Sequence, residues 1–228
     1  IIGNEFLDAL PVHLVDVGGT LIREAYVTAD HADLVGTWGD LSDAAAGEIQ
    51  LLFGTLDPRR LEVFTVDGIL EVCPSLNDLM RRVAGAMPSG SFVSIDYGEW
   101  FPGLPQVGDT WGLQGRRRRG RSVRGYFKHQ LVTDPLTRAG SQDLTADVDF
   151  AALDLHGRRE GFETVLFTTL ARFLRGGGAE DELEALRNGT AQTAGDRLEA
   201  DRQATALASL LDEQGLGGVF KVTVLARE

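Results

Sequence analysis

The stretch that decides the fold is SLNDLMRRVAGAMPSGSFVSIDYG, residues 75–98. Its first half repeats apolar side chains at helical spacing from Leu76 onward, and Pro88 ends that period. Its second half is a short apolar run, a predicted strand, that ends in an acid, Asp96. A helix that leads into a strand with an acid at its carboxyl end is typical of a parallel α/β sheet. We therefore predict an α/β fold.

Upstream of this stretch, two apolar runs flank a glycine turn, which predicts a β-hairpin over residues 12–27. Residues 30–65 show no sustained period, and we expect loops and short helices there, with one strand. We interpret residues 12–65 as a hairpin and loop insertion within a single domain of residues 1–228.

Downstream, residues 99–122 form a predicted loop rich in glycine and arginine. The remaining elements follow from apolar periodicity and turn signals. They are a strand over residues 122–131, a polar loop over 143–149, helices over 148–161, 166–175, 179–187 and 196–214, and a strand over 219–225.

Charge and composition exclude several classes of protein. The 228 residues include 22 Lys and Arg against 34 Asp and Glu, which gives a net charge of −12. Because an acidic protein repels nucleic acid and anionic membranes, we expect neither as a partner. The single cysteine, Cys73, excludes an internal disulfide framework. No apolar run is long and unbroken enough to predict a membrane span.

Several common chemical motifs are absent from the sequence. It contains no glycine fingerprint for dinucleotides, no P-loop and no nucleophile elbow. Its four histidines are widely separated, so a metal site is not predicted from them. The arginine run at residues 116–119 suggests nucleic-acid binding, but arginine is the usual basic residue of this chain, and a solvated loop explains the run better.

The segment DLTADVD, residues 143–149, alternates oxygen-bearing side chains as a calcium loop does. However, Val148 stands where such a loop requires a glycine. A helix N-cap at Thr145 or Asp147, with Asp149 near the positive end of the helix, is the simpler interpretation. A calcium site is the alternative.

Asn4, Glu5 and Asp8 are the best catalytic candidates, because they follow an apolar strand at the start of the chain. Ligands of open α/β sheets bind beyond the carboxyl ends of the strands. Two carboxylates and an amide at such a place could hold a cation or remove a proton. A capped helix after the strand explains the same spacing equally well.

Four phrases stand in order along the chain: NEFLDALPV (4–12), SIDYG (94–98), RGYFKH (124–129) and DLTADVDFAAL (143–153). Together they resemble the MidA-like family of class I methyltransferases, which includes the mitochondrial complex I assembly-factor arginine methyltransferase. Residues 68–85 and 217–226 also fit. The resemblance covers nearly the whole chain and corresponds to the C-terminal two-thirds of the family's sequence.

This resemblance implies a Rossmann-like sheet with helices on both faces, and an S-adenosylmethionine-dependent enzyme that methylates protein arginine in complex I assembly. It implies that Asn4, Glu5 and Asp8 are catalytic. Asn4 and Glu5 would also bind the cofactor, together with Asp96 and Tyr97. The substrate-binding residues implied by the resemblance are Tyr126, His129, Asp143, Thr145 and Asp147.

The residue types suit this chemistry. Methyl transfer is an in-line displacement, so positioning does most of the work. A sulfonium is favoured by carboxylates and aromatic faces, which Glu5, Asp96 and Tyr97 could supply. An arginine substrate is protonated in water, so Glu5 or Asp8 would orient it and accept the departing proton.

The chain opens at Ile1 without an initiator Met, and we expect it to be part of a longer protein. In the family, strands that precede the Asn4 motif carry a glycine-rich turn and an acid for the cofactor. Residues 1–228 contain neither, so we expect these residues alone to lack the N-terminal cofactor-binding strands and to bind the cofactor poorly.

Alternatives stay open on the sequence. The main one is a non-catalytic assembly or binding module derived from a methyltransferase, and a distant one is a divalent-metal hydrolase built on Asp96, Asp143 and Asp147. The resemblance implies a protein partner that presents an arginine, and it allows a homodimer. It places a bacterial-type chain in the cytoplasm and the eukaryotic relatives in mitochondria.

Overall fold

The computed structural model describes residues 1–31, 33–100, 122–128, 130–132, 134–189 and 193–228. Most of the predicted loop at residues 99–122, including its arginine run, lies outside them, as does His129. The strands are β1 (Ile2–Asn4), β2 (His13–Asp16), β3 (Arg23–Asp30), β4 (Asp33–Asp40), β5 (Ile69–Val72), β6 (Gly90–Glu99), β7 (Arg124–Phe127), β8 (Gln130–Val132), β9 (Asp143–Thr145), β10 (Val148–Asp149), β11 (Glu163–Thr169) and β12 (Phe220–Arg227).

The described residues also form eight α-helices and a 3₁₀ turn at Glu62–Phe64. They are α1 (Asp43–Phe53), α2 (Pro58–Leu61), α3 (Ser75–Ala86), α4 (Phe150–Arg159), α5 (Leu170–Gly176), α6 (Ala179–Asn188), α7 (Ala194–Leu211) and α8 (Leu216–Val219). In the described part of the chain, no helix has the length and apolar character needed to cross a membrane.

The main sheet has the order β1-β6-β12-β11, and β10 pairs with the far end of β6. Strands β1 and β10 run parallel to β6, whereas β12 is antiparallel to both of its neighbours. The predicted α/β class is therefore confirmed, with a mixed rather than a purely parallel sheet. The parallel pair β1–β6 ends at Asn4 opposite Ile95, so the end of β1 lies beside Asp96, the next residue of β6.

The core lies where α3 and α4 pack together and α4 covers strands β6 and β12. Met80 of α3, Leu153 of α4 and Leu225 of β12 are all buried there. Gly157 lets α4 approach the sheet closely, because a Cβ at this position would lie 2.4 Å from Leu225 Cδ2. This packing holds β6 and β12 in place, and the candidate site lies where β1 ends beside β6.

Two smaller antiparallel sheets, with the orders β4-β3-β2-β5 and β8-β7-β9, complete the fold. The predicted hairpin at residues 12–27 is confirmed by the pairing of β2 with β3. Strand β3 then continues to Asp30 and pairs with β4. Residues 33–64 contain the expected strand, β4, and the expected short helices, of which α1 has 11 residues.

Three predicted elements differ in extent or in type. The predicted strand at residues 122–131 is two paired strands, β7 and β8, and the predicted polar loop at 143–149 contains β9 and β10. The alternating polar residues there have the period of an exposed strand, which pairs with β7. The helix predicted over 166–175 begins as strand β11, because its β-branched residues pair with β12.

Gly98 should be intolerant of a side chain. It has a φ of 152°, and a Cβ there would lie 2.1 Å from the Val148 backbone oxygen, where β10 pairs with β6. We expect Gly98→Ala to lower the free energy of unfolding by at least about 2 kcal/mol, measured by urea denaturation.

The control is Gly85→Ala in α3, where the new Cβ would have no atom within 4 Å. This variant should be neutral or more stable by up to about 1 kcal/mol, because alanine favours a helix. Equal losses in the two variants would contradict the tight β6–β10 contact.

Candidate active site

The chain makes a strained turn where β1 ends. Glu5 has a φ of 46°, a left-handed conformation that is uncommon for a residue with a side chain. Its N–H donates to the Ile95 oxygen at 2.9 Å, which extends the β1–β6 pairing by one residue. Asn4 and Glu5 are both exposed, and Asn4 Nδ2 donates to Glu5 Oε1 at 3.4 Å. Strain of this kind is often retained at functional sites.

A buried carboxylate holds this turn in place. Asp96 of β6, beside the end of β1, is fully buried. Its Oδ2 accepts N–H donors from Phe6, Leu7 and Asp8 at 3.1, 2.9 and 3.3 Å. Its Oδ1 accepts from the N–H of Tyr97 at 3.0 Å. The four donors replace the water that this carboxylate loses on burial.

Burial nevertheless disfavours the charge on Asp96. Burial and, after it, the neighbouring carboxylate of Asp8 raise the pKa of this carboxyl from 3.8 to about 6. The backbone donors from Leu7, Tyr97 and Asp8 oppose that rise by stabilising the ionised form. Asp96 is thus a supporting group below the turn, with its oxygens occupied by backbone donors.

A chain of polar contacts leads from Asp8 across the site. The Tyr97 hydroxyl donates to Asp8 Oδ2, and the Arg124 guanidinium lies over the Tyr97 ring, 4.9 Å from its centroid. Arg124 then donates to Asp147 Oδ1 at 2.7 Å. Burial, together with the hydrogen bond to Asp8, raises the pKa of Tyr97, so its hydroxyl stays a neutral donor. The Ala146 N–H donates to the backbone carbonyl oxygen of Asp8 at 2.9 Å, so the segment that carries Asp147 also contacts the segment that carries Asp8.

The sheet β8-β7-β9 presents further predicted residues. Arg124 stands opposite Thr145, and Tyr126 stands opposite Asp143. Since side chains alternate along strands, these four residues share one face. Arg124 Nε and Thr145 Oγ1 are buried without a hydrogen-bond partner among the described residues. Such atoms are candidates to hydrogen-bond a bound molecule.

The structure therefore brings most of the predicted site residues into one region, at the carboxyl end of β1 and beside Asp96 and Tyr97 of β6. Asp8, Tyr97 and Asp147 belong to one network, with Asp96 beneath it. Asn4 and Glu5 lie on the turn that Asp96 holds. Tyr126, Asp143 and Thr145 lie on the neighbouring sheet face, and His129 lies outside the described residues.

Sequence reasoning missed Arg124, which joins Tyr97 to Asp147. The signal was present, because Arg124 and Tyr126 are two residues apart in the motif RGYFKH and so point the same way on a strand. The predicted helix N-cap was also wrong. Asp149, rather than Thr145 or Asp147, caps α4 by accepting from the N–H groups of the next turn.

The metal-based alternatives gain no support. Across residues 1–228 apart from the undescribed gaps, no group of three or more His, Cys, Asp or Glu side chains could hold a metal ion. Asp147 is paired with Arg124, and Asp96 is held by backbone N–H groups, so two of the three aspartates of the hydrolase alternative have other partners.

The raised pKa of Asp96 predicts a pH dependence of stability. The folded-state pKa, about 6, exceeds the ordinary value of 3.8, so the native state binds this proton more readily than the unfolded chain does. The resulting stabilisation is present in full below about pH 4 and is lost as the pH rises through about 6.

We therefore expect the free energy of unfolding of the wild type, minus that of Asp96→Asn, to fall between about pH 4 and about pH 6. Above about pH 7 the difference should be constant. Urea denaturation across this range measures it. A difference that increases with pH would show that the carboxyl is more acidic in the folded state, contrary to this account.

Comparison with known proteins supports the methyltransferase resemblance. Residues 1–168 match a family described as "Putative S-adenosyl-L-methionine-dependent methyltransferase". The mitochondrial protein arginine methyltransferase NDUFAF7 homolog of Caenorhabditis elegans is 30% identical over 154 residues, and NDUFAF7 of Rattus norvegicus is 31% identical over 159 residues. Each match covers 67% of this chain, but only 31% and 29% of those relatives.

Solved structures extend the likeness to the whole chain. A COG1565 superfamily protein from Burkholderia thailandensis, bound to S-adenosyl-homocysteine, has a TM-score of 0.73 and 26% identity, and the match covers 99% of this chain and 52% of that one. A native structure of a COG1565 protein from the same organism has a TM-score of 0.73 and 27% identity, and the match covers 99% of this chain and 54% of that one.

The chain thus spans about half the length of these solved proteins, and its matches cover under a third of the curated relatives. Both shares are smaller than the two-thirds of the family's sequence that the resemblance implied. The family match extends through the turn at Asn4, the strand of Asp96 and the sheet of Arg124. The resemblance to MidA-like methyltransferases is confirmed, and this chain belongs to the S-adenosyl-L-methionine-dependent methyltransferase family.

Proposed function

We propose that this chain is the substrate-binding and catalytic part of an S-adenosylmethionine-dependent protein arginine methyltransferase. The observation that carries the proposal is the strained turn at Asn4 and Glu5, exposed at the carboxyl end of β1 and held from below by Asp96. The names of the curated relatives, which are protein arginine methyltransferases, support the choice of substrate.

The exposed turn fits the charge of the proposed cofactor. S-adenosylmethionine supplies an electrophilic methyl group on a positively charged sulfur. Glu5 offers a carboxylate for that charge, and the Asn4 amide beside it offers both a donor and an acceptor. These two residues are the ones we assign to hold the cofactor, with Tyr97 close behind them.

The same residues suit a guanidinium substrate. An arginine side chain is always protonated in water, so an exposed carboxylate attracts and orients it. As its nitrogen gains the methyl group, it must lose one N–H proton, and we assign Glu5 as the acceptor. Asp8 is buried and bound to Tyr97, so its role is to position the turn and the Tyr97 ring.

The sheet face with Arg124, Tyr126, Asp143 and Thr145 would hold the protein that presents the arginine. We propose that residues 1–228 form one domain with residues 12–65 as an insertion. Participation in complex I assembly, a homodimer and a cytoplasmic location are further proposals from the resemblance. Mass spectrometry of arginine methylation in cells that lack the gene would identify the protein substrate.

A comparison of two ligands tests the role of Glu5. S-adenosylmethionine is a sulfonium cation at its sulfur, whereas S-adenosyl-homocysteine is neutral there. We expect Glu5→Gln to weaken binding of the cation by about tenfold and to change binding of the neutral product far less. Calorimetric titration of both ligands measures the ratio.

The matched control is Glu163→Gln, which removes an exposed carboxylate from β11. It should leave both affinities unchanged. If Glu5→Gln weakens the binding of both ligands equally, or changes the binding of neither, Glu5 does not face the sulfonium.

The same titration should be made with residues 1–228 and with the complete product of the gene. Binding by the complete product and weaker binding by residues 1–228 would agree with the proposal. Tight binding by residues 1–228 alone would contradict the expected weak affinity. Absence of binding by both would favour a non-catalytic assembly or binding module.

A further inference from the structure

Strands β3 and β4 form a long ribbon, defined here as Arg23–Asp30 and Asp33–Asp40. The two strands pair along their whole length with no shift of register, from Arg23 opposite Asp40 to Asp30 opposite Asp33. Strand β4 is the outer strand of its sheet within the described residues. Nearly all of the ribbon is exposed, and only Glu24 near its base is buried. An exposed flat edge of this kind favours pairing with another chain.

One face of the ribbon is apolar. Cross-strand partners share a face, and alternate pairs along the ribbon therefore point the same way. The apolar stripe on this face consists of Ala25, Ala29, Val27, Leu34 and Trp38, with Gly36 opposite Val27. Val27 is 57% exposed, and Leu34 and Trp38 are each 37% exposed. A contiguous exposed apolar stripe indicates an interaction surface.

The tip of the ribbon is acidic. At the base Asp40 stands opposite Arg23, whereas at the tip Asp30 and Asp33 stand opposite each other, on the other face from the stripe. His31 Nδ1 lies 2.8 Å from Asp30 Oδ1, and like charges directly opposite each other are destabilising. Buried Glu24 is occupied by His13 and by the Ser42 N–H, so it does not add to this exposed charge.

A cleft of about 550 Å³ adjoins the tip. The residues lining it are Asp33, Leu34, Asp134, Leu136, Thr137, Arg138 and Ala139. It therefore contains two carboxylates, Asp33 and Asp134. Its one guanidinium, that of Arg138, lies over the Phe127 ring at 4.4 Å from the centroid. The carboxylates and the neighbouring Asp30 favour a cationic ligand.

The cleft is physically connected to the candidate active site. Its loop joins β8 to β9, in the sheet that carries Arg124 and Tyr126. The same loop contacts the ribbon, because a Cβ at Gly36 would lie 3.6 Å from Leu136 Cδ1. A segment that followed the stripe into the cleft would therefore reach the edge of the site's own sheet.

We propose that the apolar stripe and the acidic cleft dock an extended, arginine-bearing segment of the protein substrate, distinct from the arginine that is methylated. This inference rests on the proposed function. In an extended segment alternate side chains share a face, so apolar side chains would contact the stripe. An arginine that follows them past the tip of the ribbon would reach Asp33 and Asp134 in the adjoining cleft. Docking of this kind raises the local concentration of the target arginine at the site.

Labelled peptides test this surface directly. The probe is a peptide of five Arg-Val repeats, and the comparison peptide has five Glu-Val repeats. We expect fluorescence anisotropy to show binding of the basic peptide only. Val27→Ser should weaken that binding at least about fivefold, because it removes apolar area from the stripe.

The matched control is Val165→Ser on β11, since Val165 is 60% exposed and also lies on an edge strand. It should bind the basic peptide like the wild type. In the same way, Asp33→Asn should weaken binding at low salt, whereas Asp181→Asn on exposed α6 should not.

Hydrogen exchange locates the bound peptide. Protection should appear in β3, β4 and the loop Asp134–Ala139, and not in β11. The proposal is overturned if the basic peptide does not bind, if the acidic peptide binds equally, or if Val165→Ser weakens binding as much as Val27→Ser does.

The same variants separate this inference from the proposed function. Val27→Ser should keep the wild-type affinity for S-adenosylmethionine. If the cofactor fails to bind the complete gene product while peptide binding depends on Val27, the proposed function fails and the docking surface stands. If the cofactor binds the complete gene product and Val27→Ser leaves peptide binding unchanged, only the proposal of the docking surface fails.

Discussion

The architecture of the site depends on one buried carboxylate. Asp96 accepts hydrogen bonds from the N–H groups of Phe6, Leu7 and Asp8, and so joins the turn after β1 to β6. Leu7 and Asp8 are buried, so their N–H groups would otherwise lack partners, and the carboxylate would otherwise lack solvation. Glu5 can keep its left-handed conformation because the residues on both sides of it are fixed, by the β1–β6 pairing and by Asp96.

This support divides the polar residues into two groups. Asp96, Asp8 and Tyr97 are hydrogen-bonded to one another or to the backbone, so they fix positions. Asn4 and Glu5 are exposed, so their polar atoms can meet a ligand. An active site requires both groups, because a loosely held carboxylate would orient neither a sulfonium nor a guanidinium.

Much of this site follows from sequence, because its residues lie in short motifs at strand ends. The turn at Asn4 and the strand ending at Asp96 were predicted from apolar runs that stop at acids, and their proximity follows from parallel pairing. The position of Asp96 beneath the turn was not predictable, since only tertiary contact decides whether a carboxylate meets backbone or ligand. Arg124 was missed for the same reason.

The errors in secondary structure have a common cause. Residues 166–170 contain apolar side chains at helical spacing. Residues 166–169 nevertheless form a strand, because β-branched residues among them favour it and β12 pairs with them. Residues 143–145 are polar enough to resemble a loop, and pairing with β7 makes them a strand. In both places long-range pairing outweighs a local pattern.

Hydrogen exchange of the turn amides tests the central claim most directly, namely that Asp96 holds the turn of Asn4 and Glu5. In the wild type the amides of Phe6, Leu7 and Asp8 should be protected. In Asp96→Ala they should exchange at least about tenfold faster, while the amides that pair β6 with β12 keep their protection. Unchanged protection at Phe6 to Asp8 in that variant would contradict the claim.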